Sequence, residues 1–245
     1  MTRLLVSVRS LEEARLAAAA GVAVIDLKEP GRGSLGRVSL PVAVEVAGAL
    51  GPSVTLSMAL GELAQWSHDD WELIRRLPAE VRFAKIGLAG WPDDGDWRSS
   101  WREALSLLPG QTAPVAVIYA DWQDAAAPQP DRILSEAIRN QCRALLVDTF
   151  RKDTGNVFCH AGTAQLADWF RVARGSKMLT VLAGSLRLDD LDTALALEPD
   201  YLAVRGAVCR SSRQHDLCPT KLSDWVRRLA SRSPASGTRQ CAGGA

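Results

Sequence analysis

The feature that most constrains the fold of this chain is the regular alternation of short apolar runs with segments of helical periodicity. Apolar runs of strand length occur at residues 4–8, 22–27, 53–60, 82–90, 114–121, 143–150, 178–186 and 201–208. A helical pattern follows each run; the first has Ser10 in the N-cap position and Glu13 three residues later, the spacing of a capping box. Strands that alternate with helices in this way predict right-handed crossovers and a parallel sheet.

Eight strand–helix units in a chain of 245 residues predict an α/β protein with a single (β/α)8 TIM barrel over residues 1–232. A doubly wound open sheet is the alternative. The glycine-rich dinucleotide fingerprint is missing after the first strand, which disfavours the open sheet. Residues 233–245 have no periodicity, so we predict a disordered C-terminal tail.

Composition argues against several classes of function and cellular location. The net charge of +1 gives no indication of nucleic-acid or membrane binding. The apolar runs are too short for a membrane span or a secretory signal, so we expect a cytoplasmic protein. Five cysteines without CxxC spacing and three unpaired histidines predict reduced thiols, no metal site and no cofactor. The apolar, tryptophan-rich helix faces leave room for a homo-oligomer.

The candidate chemistry lies in the lysines. Only five of the 29 basic residues are lysines, so this chain uses arginine almost wherever a positive charge is sufficient. Arginine cannot form a Schiff base or give up its proton near neutral pH, whereas a desolvated lysine can do both. Lys28, Lys85 and Lys152 stand at or just beyond the C-terminal ends of predicted strands, which is where barrel enzymes carry their active sites.

Two aspartates accompany these lysines. Asp26 precedes Lys28 by two residues, which puts both on one face of the strand, and Asp148 precedes Lys152 at the end of the sixth strand. A structural ion pair is the simpler interpretation of any one such pair. As a set, however, the residues fit imine formation or proton abstraction on a carbonyl substrate, since burial and neighbouring cations lower a lysine pKa. For the same reason we expect Lys85 to act as a base.

Small and cationic residues near the ends of the last two strands predict a phosphate site, because barrels commonly bind phosphate there. The candidate contacts are Gly184, Ser185, Arg205, Gly206 and, in the loop after the second strand, Ser34. Arg213 could add positive charge. The segment 31–36, GRGSLG, is either a third anion-binding loop or a mobile flap.

Five motifs, DLKEPGRGSLG, FAKIGLAG, VDTFRKD, LAGSL with a following DDL, and PDYLAVRGAVC, resemble those of the (5-formylfuran-3-yl)methyl phosphate synthase family, in the same order. The resemblance runs from residue 3 to about residue 215. It implies a carbon–oxygen lyase that condenses two glyceraldehyde 3-phosphate molecules into a furan aldehyde phosphate, releasing phosphate and water. The pathway implied is methanofuran-type cofactor biosynthesis, in one-carbon metabolism. The resemblance further implies that Lys28 forms the Schiff base and that Lys85 accepts a proton, assisted by Asp26, Asp148 and Lys152.

Two other functions remain open at this point. Another class I aldolase or isomerase acting on a sugar phosphate would also need a lysine and a phosphate site. A non-catalytic sensor of a phosphate ligand would need the phosphate-binding loops, but it would not need three lysines at strand ends.

Overall fold

Eight parallel strands close into a barrel in chain order. The computed structural model of the protein describes residues 1–91 and 95–232. The strands are β1 (Arg3–Val8), β2 (Val24–Leu27), β3 (Thr55–Glu62), β4 (Val81–Gly87), β5 (Ala113–Tyr119), β6 (Ala144–Asp148), β7 (Leu179–Leu182) and β8 (Tyr201–Val204). The predicted TIM barrel is therefore confirmed. The predicted disordered tail, residues 233–245, lies outside the described residues.

Helices connect the strands and surround the barrel. They are α1 (Leu11–Ala19), α2 (Leu40–Leu50), α3 (His68–Ile74), α4 (Trp97–Ser106), α5 (Pro130–Arg139), α6 (Val157–His160), α7 (Thr163–Gly175), α8 (Leu191–Ala196) and α9 (Pro219–Arg232). The hydroxyl of Ser10 caps α1 by accepting the Glu13 backbone N–H at 3.3 Å. The short helix α6 lies within the β6 to α7 connection. Within the described ranges, no helix has the length and apolar character needed to cross a bilayer.

Side chains alternate between two environments along each strand, as the pleat requires. One set points outward and packs under the helices, together with Trp97, Trp101 and Trp225, which are 0–1% exposed. These three tryptophans therefore fill the layer between helices and barrel instead of presenting an apolar surface. The other set points into the barrel, where polar and charged side chains take over near the C-terminal ends of the strands.

Candidate active site

A cavity of about 530 Å³ opens at the C-terminal ends of the strands. Its volume lies in the range of small-molecule binding sites. The structure brings the five predicted catalytic residues together in its lining: Asp26, Lys28, Lys85, Asp148 and Lys152. They converge because each occupies an inward position at the end of β2, β4 or β6, or follows such a strand closely.

Asp26 and Lys85 form a buried ion pair on one side of the cavity. Asp26 is 1% exposed and Lys85 is 3% exposed, and the Lys85 ammonium donates to Asp26 Oδ1. Ser7 lies beside Asp26 in the β1–β2 register and donates its hydroxyl to Asp26 Oδ2 at 2.9 Å. Both carboxylate oxygens thus have a donor, which offsets the cost of removing the charges from water.

Asp148 and Lys152 form a second pair on the β6 side. Lys152 Nζ donates to Asp148 Oδ1 at 2.7 Å and also to the Thr149 carbonyl. Burial alone would raise the pKa of Asp148, but attraction to Lys152 and Lys28 holds that pKa below its usual value. Burial likewise lowers the pKa of Lys152, although Asp148 opposes the shift.

The backbone that carries Lys152 is fixed by a buried carboxylate. Asp121 is 6% exposed and accepts the backbone N–H groups of Phe150 at 2.6 Å and Arg151 at 2.8 Å. Two charge-assisted hydrogen bonds to adjacent peptide groups hold this turn in one conformation. Lys152 is therefore positioned by the backbone as well as by its ion pair.

Lys28 differs from the other two lysines because its amine has no hydrogen-bond or ion-pair partner among the described residues. Burial lowers the pKa of Lys28 from 10.5 to about 8. The positive charges of Lys152 and Lys85 lower the pKa further, and Asp148 and Asp26 act against them. An amine that is unpaired and partly deprotonated near neutral pH can attack a carbonyl carbon.

Four of the predicted phosphate-binding residues line the cavity: Gly184, Ser185, Arg205 and Gly206. Gly184 has φ +96°, and a Cβ atom there would lie 2.8 Å from Val157 Cβ. Its carbonyl accepts the Val157 backbone N–H at 2.9 Å, which joins the loop after β7 to the start of α6. Only glycine permits this conformation together with this close approach.

Arg205 and Ser34, which were also predicted to contact phosphate, use their donors within the protein. Arg205 lines the cavity, but it pairs with Glu13 through both Nη atoms, at 2.6 and 3.1 Å. Its other donors reach the carbonyls of residues 7, 213 and 215. Ser34 is 3% exposed and donates to the Thr149 carbonyl at 2.9 Å. Both residues thus also hold the protein around the site together, and their contact with phosphate stays a prediction.

The segment 31–36 is attached to its surroundings at three consecutive residues. Gly33 O accepts from Arg213 Nη2 at 2.9 Å, and Leu35 O accepts from the Gly61 backbone N–H at 2.9 Å. With the Ser34 hydrogen bond between them, these contacts join the segment to β3 and to the loops after β6 and β8. The choice between an anion-binding loop and a mobile flap stays open.

Sequence reasoning missed several residues near the cavity. Arg187 and Ser211 line it, and Arg213, which was noted only as extra charge, also lines it. Glu62 ends β3 and accepts hydrogen bonds from the Tyr119 hydroxyl and, at 2.9 Å, from the Ala89 backbone N–H. Burial raises the pKa of Glu62. An acid at a strand end is the same signal that identified Asp148, and it could have identified Glu62.

Metal ligands and thiols complete the description of the site. Among residues 1–91 and 95–232, no group of three or more His, Cys, Asp or Glu side chains is placed to hold a metal ion. Cys142, Cys159, Cys209 and Cys218 are free thiols. The buried thiol of Cys142 has a pKa raised to about 12 by burial, so it is not a nucleophile at neutral pH.

Sequence comparisons identify relatives over most of the chain. A family model described as 4-HFC-P synthase matches residues 4–226. A protein of Methylorubrum extorquens, provisionally assigned as a (5-formylfuran-3-yl)methyl phosphate synthase, is 34% identical over 214 residues, which are 86% of this chain and 84% of the relative. The (5-formylfuran-3-yl)methyl phosphate synthase of Methanopyrus kandleri is 29% identical over 233 residues, which are 93% of this chain and 97% of that protein.

Solved structures with a similar fold include enzymes. The phosphoribosyl anthranilate isomerase of Thermus thermophilus has a TM-score of 0.61 and 22% identity, over 94% of this chain and 99% of the isomerase. A 3-hexulose-6-phosphate synthase has a TM-score of 0.51 and 14% identity, over 92% of this chain and 100% of that chain. At these identities the similarity shows a shared fold alone.

Proposed function

The chain belongs to the 4-HFC-P synthase family, and on this basis we propose that it makes (5-formylfuran-3-yl)methyl phosphate from two molecules of glyceraldehyde 3-phosphate. The observation that carries the proposal is the unpaired amine of Lys28, which lies in one cavity with two Lys–Asp pairs. The product would serve methanofuran-type cofactor biosynthesis. In class, the enzyme would be a carbon–oxygen lyase that eliminates phosphate.

The overall reaction balances without any other reactant. Two triose phosphates contain the atoms of one furan aldehyde phosphate, one inorganic phosphate and two water molecules. One carbon–carbon bond and one ring carbon–oxygen bond form, phosphate and water leave, and no net oxidation or reduction occurs. The residues of the site therefore need to activate a carbonyl group, move protons and bind phosphate.

Lys28 is the proposed nucleophile. With a pKa of about 8, about a quarter of its amine is unprotonated at pH 7.5, whereas an ordinary lysine has roughly one part in a thousand in this form. The amine adds to the aldehyde carbon, and loss of water gives an imine that bonds the substrate to Lys28. The protonated imine withdraws electrons and makes the adjacent carbon acidic, which prepares it to form the new carbon–carbon bond.

The two ion pairs are the proposed proton donors and acceptors. We assign Lys85 the role of base: its unprotonated amine takes the proton, and Asp26 holds the resulting ammonium in place. Lys152 faces the cavity from the other side, and its ammonium, held by the Asp148 carboxylate, can protonate the hydroxyl and phosphate groups that leave. A set of paired acids and amines suits a reaction with several dehydration steps.

The proposal is tested by product analysis. The purified protein is incubated with glyceraldehyde 3-phosphate alone, and the products are identified by mass spectrometry while released phosphate is counted. We expect the furan aldehyde phosphate, with one phosphate released for every two trioses consumed. A six-carbon sugar bisphosphate or dihydroxyacetone phosphate as the sole product would instead indicate another Schiff-base aldolase or an isomerase.

A further inference from the structure

The charge of the cavity lining is much larger than the net charge of the chain. Its lining contains six cationic side chains and two carboxylates: Lys28, Lys85, Lys152, Arg187, Arg205, Arg213, Asp26 and Asp148. That is a formal excess of four positive charges in a chain whose net charge is +1. Glu13 neutralises Arg205 from outside the lining, which leaves three. A phosphate monoester carries about −1.5 to −2 at pH 7, so two such groups match this excess better than one.

Arg213 is an arginine of the cavity lining that, in the described part of the chain, has no carboxylate partner. It is half-buried, and its guanidinium donates to the Gly33 carbonyl at 2.9 Å. Among the described residues no carboxylate lies within ion-pair distance of it. Its positive charge nevertheless reaches Lys152, since it helps burial to lower the pKa of that lysine. A partly desolvated guanidinium without a carboxylate partner is a favourable ligand for an anion.

Residues 209–217, which we call the clamp loop, hold Arg213 over the cavity. The loop is closed at its base by a bridge between Cys209 and Leu217 and by a hydrogen bond of 3.0 Å from the Arg210 backbone N–H to the Asp216 carbonyl. A closed loop of this size presents Arg213 from a defined backbone position.

The buried pair of Arg205 and Glu13 fixes the clamp loop to the barrel. Arg205 Nε donates to the Arg213 carbonyl at 2.8 Å, and Arg205 Nη2 donates to the His215 carbonyl at 3.1 Å. Arg205 Nη1 also donates to the carbonyl of Ser7, the residue whose hydroxyl bonds Asp26. One guanidinium therefore connects the backbone that carries Arg213 with the strand beside the first ion pair.

We propose that the clamp loop is a second phosphate site, at which Arg213 and the Ser211 hydroxyl bind the phosphate of one triose phosphate while the loop after β7 binds the phosphate of the other. In this arrangement Glu13 and Arg205 are positioning residues. The inference rests on the proposed function, because two phosphorylated trioses must occupy the cavity together for a bond to form between them.

The test is a calorimetric titration of the full-length protein with glycerol 3-phosphate, which has no carbonyl group and cannot form an imine. The wild type should bind two molecules per chain. Arg213→Gln should leave one site unchanged and weaken the other at least about tenfold. Arg210→Gln is the matched control: it removes the same charge from an exposed position of the same loop and should still bind two. One molecule bound by the wild type, or two bound equally well by Arg213→Gln, overturns the inference.

Steady-state kinetics separate a role of Arg213 and Glu13 in substrate binding from a purely structural role. With glyceraldehyde 3-phosphate, Arg213→Gln and Glu13→Gln should raise KM at least about tenfold and change kcat less than about threefold. A fall in kcat with unchanged KM in both variants contradicts the assignment. If the wild type binds two molecules of glycerol 3-phosphate but makes no furan, the proposed function fails and the second site stands. If the wild type makes furan but Arg213→Gln changes neither glycerol 3-phosphate binding nor KM, the second site fails and the proposed function stands.

Discussion

Replacing Lys28 with methionine should stabilise the fold while it removes the imine-forming amine. Burial lowers the pKa of Lys28 from 10.5 to about 8, so the ammonium form is less favourable in the folded protein than in the unfolded chain. A shift of this size corresponds to ~3 kcal/mol. The side chain is only partly buried, so we discount the value for solvent screening and expect roughly 1–2 kcal/mol. Methionine has a similar volume and carries no charge, so packing should be retained.

The pH dependence of the stabilisation expected from Lys28→Met follows from the pKa of Lys28. Below about pH 8 the lysine is charged in both states, and the destabilisation is at its full value. Between about pH 8 and pH 10.5 the unfolded chain binds more protons than the folded protein, so the stability of the wild type rises with pH. Above this range the amine is neutral in both states. The advantage of Lys28→Met should therefore be greatest at neutral pH and should disappear in alkali.

Urea and thermal unfolding at pH 7 and pH 10 measure the effect. At pH 7, Lys28→Met should raise Tm by about 2–8 °C, and the difference should shrink at pH 10. Lys177→Met, at an exposed position, is the control and should change stability little. A Lys28→Met variant that is no more stable than the wild type at pH 7, or whose advantage is the same at both pH values, refutes the reasoning.

Three other perturbations address the site. Lys85→Arg keeps a cation beside Asp26 but cannot act as a base, so turnover should fall by on the order of a hundredfold or more while glycerol 3-phosphate still binds; near-native turnover would show that Lys85 acts only through its charge. Gly184→Ala should lower Tm and weaken phosphate binding, since its φ is +96° and the new Cβ would meet Val157; an unchanged Tm and affinity would contradict the close approach. Activity should survive exhaustive chelation because imine formation by Lys28 activates the carbonyl; loss of activity that a divalent ion restores would favour a metal-dependent aldolase.

The barrel and its lysines could be predicted from the sequence because both depend on local patterns. Each strand is a short apolar run, and each run is followed by a helix that returns the chain to the same end of the barrel. A lysine at the end of such a run must face the mouth or the outer layer, and the outer layer is apolar. Lys28 and Lys85 were therefore expected to face the mouth of the barrel. The bounds of the strands were less predictable: β7 spans Leu179–Leu182, whereas the apolar run extends to residue 186, because the backbone turns at Gly184.

Local sequence patterns could not predict which arginine and lysine side chains of the site lack a carboxylate partner. Arg205 is paired with Glu13, a residue 192 positions away in the sequence. The hydroxyl of Ser34 reaches a carbonyl 115 positions away, and Glu62 bonds a tyrosine 57 positions away. Only the closed barrel brings these partners together. A sequence pattern shows that an arginine is near the phosphate loops, but it does not show whether a buried carboxylate already neutralises it.

The most direct test of the account is to trap the covalent intermediate on Lys28. The full-length protein is mixed with glyceraldehyde 3-phosphate, reduced with borohydride and digested, and the peptides are analysed by mass spectrometry. We expect a substrate adduct on the peptide that contains Lys28, formed less readily as the pH falls below about 8, the pKa to which burial lowers this amine. An adduct on another lysine alone, or no adduct from an enzyme that is turning over substrate, would contradict the role of Lys28 as the imine-forming residue.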